Sequence, residues 1–232
     1  MTITPCRPKW KGTLTDRERF YRQMHYQPFD RCFNMEFGYW DENFREWPIF
    51  YENGVTNNEE ADIFFNFDRC PTIGGPIWMQ PPFEKRTVEV RERTQVLINE
   101  DGLLAEVPLD NHDTIPHFIR SSIITPDDWA RVKAERFRLD DPRRVIDIAR
   151  LQRAHPLDRD YPLGVDTGSM IGKIRDMLTF EGLAYAIHDY PAMVEDMVET
   201  ACQLVEQELD QLLPYFHFDF AAGWEDICYK SG

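Results

Sequence analysis

The chain has 232 residues, 42% hydrophobic and 29% charged, with a formal net charge of −15. That composition suits a globular protein and excludes disorder over most of the length. The acidity excludes sequence-independent nucleic-acid binding and attraction to an anionic membrane, since both need a Lys/Arg surface.

No stretch approaches the ~18 consecutive apolar residues of a membrane span. The opening segment lacks the apolar core of a secretory signal. The five cysteines are Cys6, Cys32, Cys70, Cys202 and Cys228, an odd number with no CxxC spacing. The expectation is free thiols in a reducing cytoplasm rather than a disulfide framework or a zinc knuckle.

In chain order, residues 1–13 read as a loose leader. Thr15-Asp16-Arg17-Glu18 has the form of a capping box, so a helix is predicted from there to His25, closed by Gln27-Pro28. Arg31 to Trp40 is mostly apolar and predicts a buried strand leading into a loop. Residues 41–53 read as helical around Phe44, Trp47 and Phe50, although Pro48 counts against it. Ile63-Phe64-Phe65-Asn66-Phe67 predicts a second strand. Residues 71–83, with Gly74-Gly75-Pro76 and Pro81-Pro82, read as a loop. From Thr87 to Val107 the pattern is a β-meander turning at Asp101-Gly102.

Thr125-Pro126-Asp127-Asp128 places a Thr cap, a Pro at the first helical position and acids in the first turn, so a helix is predicted to Phe137. Asp141-Pro142 predicts another through Val145, Ile148 and Leu151. Tyr161 to Gly168 reads as a short strand breaking into a loop. Helical segments follow through Ile174, Met177 and Leu178, and from Glu181 to Ile187. The clearest helix is 191–213, where Met193, Val194, Met197, Ala201, Leu204 and Leu212 recur at three and four. Its acids, Glu208 among them, are assigned mostly to the opposite face. His217 to Gly223 predicts a final strand. Strand and helix thus alternate with long connections, which implies βαβ units and a parallel sheet.

Several segments, taken in order, resemble the uroporphyrinogen decarboxylase family, whose superfamily also holds corrinoid- and zinc-dependent methyltransferases. They are Thr15 to Phe20 with Phe29-Asp30-Arg31, Phe37 to Glu42, Gly164 to Ser169, Ile174 to Glu181, and Trp224 to Ile227. The resemblance implies a (β/α)8 barrel with its site at the carboxyl ends of the strands. Such barrels need about 250 residues, and here a leader and a meander occupy the N-terminal part. The expectation is therefore an α/β chain, 1–232, forming one partial TIM barrel truncated before closure. It would have a helical leader, a β-meander insertion and an open strand edge able to pair with a second copy.

Aligning the family's glycine with Gly38 puts Met35 and Tyr39 where its decarboxylases carry carboxylate-binding arginines. That alignment shifts the expectation toward methyl transfer. The resemblance implies a small carboxylated or methylated substrate. It implies no cofactor in a decarboxylase; in a methyltransferase, zinc or a corrinoid with its carrier protein is implied. An inactive, partner-binding fragment is the third reading.

The candidate catalytic carboxylates are Glu36, Asp68, Glu225 and Asp226. Glu36, in its apolar run, reads either as a buried acid at the barrel mouth or as a strand-end partner of an arginine. Asp68 is weakly matched to the family's pyrrole-binding aspartate. Glu225 and Asp226 directly follow a predicted strand, where barrel chemistry occurs, or else stabilise a helix start. Tyr39, Trp40, Asp166 and Arg175 are the candidate substrate-binding residues. His217 and Asp219 share a strand face but lack a third ligand, so a structural role is preferred and no metal site is assigned.

Overall fold

Thr15 opens the first helix, α1 (Asp16–Met24), by accepting the Glu18 N–H at 3.1 Å. The computed structural model describes residues 3–10, 12–109 and 116–225. It shows a mixed α/β protein with one three-stranded and one four-stranded sheet. The chain divides into two compact units. The first comprises Met1–Thr72, Arg153–Gly164 and His217–Phe220; the second comprises Ile73–Gln152, Val165–Phe216 and Ala221–Gly232.

In the first unit, the strand expected over residues 31–40 is irregular chain. Its backbone groups bond side chains and a loop instead of a ladder. The Phe33 N–H donates to Gln23 Oε1, the Asn34 N–H to Asp68 Oδ2 and the Tyr39 N–H to Asn58 Oδ1. The Asn34 carbonyl accepts from the Asp68 N–H. With these polar groups satisfied locally, no neighbouring strand is required.

Two short helices follow, α2 (Asp41–Glu46) and α3 (Pro48–Tyr51), and Pro48 starts the second of them. The second expected strand, Ile63 to Phe67, is instead the end of a helix, α4 (Asn58–Phe65). Asn57 caps it by accepting the Glu60 N–H, and Asn66 closes it in the left-handed region at φ 57°. Ala61 and Phe64, three apart, bury against Phe44, Phe50 and Val55.

The four-stranded sheet confirms the meander and adds one strand. Its members are β2 (Arg86–Val90), β3 (Thr94–Ile98), β4 (Leu104–Pro108) and β5 (His117–Arg120), antiparallel in sequence order. Gly102 takes φ +80° at the β3–β4 turn, a conformation that suits glycine.

Helix α5 (Pro126–Arg136) has a complete capping box, in which Thr125 and Asp128 bond each other's backbone N–H. The single helix expected from Asp141 is split. A 3-10 turn covers Pro142–Arg144 and α6 covers Ile148–Ala154. Between them Val145 is extended at φ −74° and ψ 125°, and the buried guanidinium of Arg144 donates to the carbonyls of Pro76, Trp78, Arg136 and Arg138.

The three-stranded sheet has the order β1 (Thr72–Ile73), β6 (Gly164–Asp166), β7 (Phe220–Ala222). The Asp219 N–H donates to Leu163 O, and the Thr167 N–H donates to Ala222 O. Both strands advance together across this pairing, so β6 and β7 are parallel. Between them run α7 (Gly172–Leu178), α8 (Phe180–Asp189) and α9 (Pro191–Leu212).

The apolar stripe of α9 joins Trp129, Phe137, Ile174 and Leu183 in the core of the second unit. One residue, Thr179, joins α7 to α8 at φ 70° and ψ 162°, while its hydroxyl accepts the Gly182 N–H. Among the described residues no helix is long and apolar enough to cross a membrane, and the sheet does not close into a barrel.

Candidate functional site

Two candidate residues of the first unit, Asp68 and Tyr39, are held by neighbouring side chains, and two, Glu36 and Trp40, are exposed. Asp68 has no exposed side-chain surface. It receives both Nη atoms of Arg31, the Lys9 ammonium at 3.0 Å and the Asn34 N–H. Burial works against its charge, but these donors outweigh it and lower the pKa to about 2. Tyr39 packs edge-on against Phe50 at 4.9 Å, and burial raises its hydroxyl pKa. Glu36 is exposed and accepts the next residue's N–H, which overturns the buried acid among its two readings. Trp40 is also exposed, at the start of α2. Asp219 joins Arg17 at 2.8 Å and Arg159 at 2.9 Å.

The other candidates belong to the second unit. Glu225 accepts the N–H groups of Met170, Ile171 and Gly172, and so caps the start of α7. Burial opposes its charge; the three backbone donors prevail and its pKa is lowered. Arg175 pairs with Asp176 at 2.7 Å and lies 5.9 Å from the Trp224 ring centroid. Asp226 lies outside the described residues, as does Cys228. Cys6, Cys32, Cys70 and Cys202 are free thiols. Burial, with the charge of Asp219, pushes the Cys70 thiol up to about 11, which makes it a poor nucleophile at neutral pH.

Asp166 is the predicted residue with a second acid beside it. It ends β6, is exposed, and accepts the Gly168 N–H at 2.8 Å. Gly74 and Gly75 directly follow β1. A Cβ at Gly74 would stand 3.0 Å from both Asp166 Cβ and Glu208 Oε1, so the missing side chain is what lets the two acids approach. A Cβ at Gly75 would lie 2.8 Å from Ile146. Arg144 fixes the next residues of this loop through the Pro76 and Trp78 carbonyls.

Glu208 reaches this rim from α9. It is 3% exposed, and neither carboxyl oxygen has a hydrogen-bond partner. Burial raises its pKa to about 7; the Asp166 charge adds to the rise, and the nearby Gly75 amide, outside hydrogen-bonding geometry, tempers it. This corrects its assignment to the polar face. It lies four residues after Leu204 and four before Leu212, both buried, and so falls on the apolar stripe. A lone acid at that spacing was the available signal.

A cavity of about 100 Å³ adjoins the rim, lined in part by Trp78, Asp166, Ser169, Lys173 and Val205. Chemically, the rim offers a carboxyl group able to hold or release a proton near neutrality, an exposed aspartate and an amine. Among the described residues no group of three or more His, Cys, Asp or Glu side chains is placed to hold a metal ion. Comparison with protein-family models, curated proteins and solved structures finds no match.

Proposed function

We propose that this chain is part of a (β/α)8 barrel enzyme resembling the uroporphyrinogen decarboxylases, acting at the carboxyl ends of β1, β6 and β7 on a small carboxylated or methylated molecule. The order of these strands supports the reading. They follow one another across the sheet in chain order, as in a singly wound barrel, and barrel sites gather at the carboxyl ends of such strands.

The observation that carries the chemistry is Glu208, buried without a partner beside Asp166 at those ends. A carboxyl group titrating near neutrality is suited to general acid work. In decarboxylation the C–C bond breaks, CO₂ leaves and the electron pair stays on carbon. Glu208 delivers a proton to that carbon and regains one from water. In methyl transfer the methyl–heteroatom bond would break, the methyl group would pass to an external thiol or to a corrinoid carried by a partner protein, and Glu208 would protonate the heteroatom left behind. The acid role thus passes from Asp68, which is held ionised by Arg31 and Lys9, to Glu208.

The test is CO₂ release from carboxylated pyrroles and short carboxylic acids, run beside methyl transfer to cob(I)alamin from methylated amines and thiols. The expected result is turnover that declines above pH 7 and falls about 10²–10⁴-fold in Glu208→Gln. No turnover of either kind, or a fully active Glu208→Gln, would overturn the proposal.

A further inference from the structure

The first unit holds a cavity whose charge is opposite to that of the chain as a whole. It measures about 280 Å³, and Arg7, Lys9 and Arg31 line it without any acid, in a protein of net charge −15. Asp68 fixes this arrangement from behind. Its side chain is fully covered and outside the lining, yet it takes both Nη atoms of Arg31 and the Lys9 ammonium. Lys9 also pairs with Asp16, and Arg19 bridges Asp16 and Asp30. In this network Lys9, Arg19 and Arg31 balance Asp16, Asp30 and Asp68. Arg7 is exposed and has no ion pair among the described residues, so its charge is in excess.

Donors are in excess as well. An ammonium carries three N–H groups and a guanidinium five. Lys9 meets two oxygens, on Asp16 and Asp68. Arg31 makes three hydrogen bonds, two to Asp68 and one to the Cys32 carbonyl. The remaining donors need an acceptor, and an oxyanion supplies several at once. Lys9 and Arg31 are already held in place, which lowers the ordering cost of binding. Repulsion from distant acids is screened over about 10 Å at 0.1 M salt, whereas these cations would act at contact. The rest of the wall is partly aromatic: Trp10, exposed and 5.7 Å from the Arg31 guanidinium, and Phe65. The volume is close to the lower end of the roughly 300–1,000 Å³ of small-molecule pockets.

We infer that this cavity binds a small aromatic oxyanion, its carboxylate or phosphate on Arg7, Lys9 and Arg31 and its ring against Trp10 and Phe65. The inference does not rest on the acid rim of the second unit, and either can fail without the other.

Calorimetric titration of the whole chain with benzoate, phenyl phosphate, benzamide and benzylammonium tests it. These probes share a ring and differ in charge. The tighter oxyanion should bind at least tenfold more strongly than benzamide or benzylammonium, and it identifies carboxylate or phosphate as the group held. Added salt should weaken it. Arg7→Ala should weaken it at least threefold and Arg7→Glu at least tenfold, with unchanged circular dichroism, because the Arg7 side chain has no ion pair to lose among the described residues. Benzamide or benzylammonium binding as tightly as the oxyanions, full affinity in Arg7→Glu, or no oxyanion binding to folded protein overturns the inference. Inorganic phosphate binding as tightly as phenyl phosphate overturns it too, since the ring would then contribute nothing.

Discussion

Replacing Glu208 with Gln gives the sharpest test of the buried acid, because it removes the titration and keeps the shape. The folded-state pKa rises from 4.5 to about 7. Each pH decade is worth about 1.4 kcal/mol, so confining the charged form costs up to about 3 kcal/mol. The sign follows from proton counting. Between pH 4.5 and 7 the folded chain holds a proton that the unfolded chain has released, so stability falls as pH rises through that window. Below 4.5 both states are protonated and nothing is lost; above 7 the loss is complete. Glu208→Gln should therefore match the parent at pH 4 and exceed it by up to about 3 kcal/mol at pH 8.5. Urea unfolding across this range, with hydrogen exchange of the α9 amides to isolate the second unit, measures the difference. For a urea slope of about 2–3 kcal/mol/M the midpoint moves by about 1 M. A stability difference that stays constant from pH 4 to 8.5 would refute the assignment of a buried, unpartnered carboxyl.

Asp68→Asn strands the Arg31 guanidinium and should cost about 3–5 kcal/mol by denaturant unfolding. In the parent this contribution is present above pH 3.8 and lost as pH falls toward 2, since the folded pKa is depressed. Gly74→Ala forces a methyl group against Asp166 and Glu208; an overpacking cost of about 1–3 kcal/mol is expected in the same assay, with a measurable change in the Glu208 titration by carboxyl NMR. Glu225→Ala removes the acceptor for three N–H groups of α7, and faster amide exchange at Met170, Ile171 and Gly172 is the expected readout.

Local chemistry was legible wherever caps and periodicity agreed. Thr125-Pro126 and the 191–213 stripe place α5 and α9 within a residue or two of their observed ends. The failures came from apolar runs read without their flanks. Ile63 to Phe67 looks like a strand by composition, yet Asn57 and Glu60 stand at capping spacing and Asn66 suits a left-handed close. Arg31 to Trp40 reads as a buried strand, but amides within it are met by Gln23, Asp68 and Asn58, partners distant in sequence. For the site, Asp166 is a candidate from sequence only through the Gly164 to Ser169 segment that carries the family resemblance. Glu208 was missed because a helix rich in acids hides the one that falls on the buried stripe. No local pattern reveals that Gly74 leaves room for it.

The corner at Thr179 has a consequence for how the second unit tolerates change. Two helices meet there across a single residue held in backbone space normally reserved for glycine. Such an elbow has no slack. Inserting one residue would swing the next helix by about 100°, turning Leu183 and Ala186 out of the core and offering Gly182 and Tyr185 in their place. Evolution or engineering can lengthen many surface connections freely, but this one behaves as a fixed bracket.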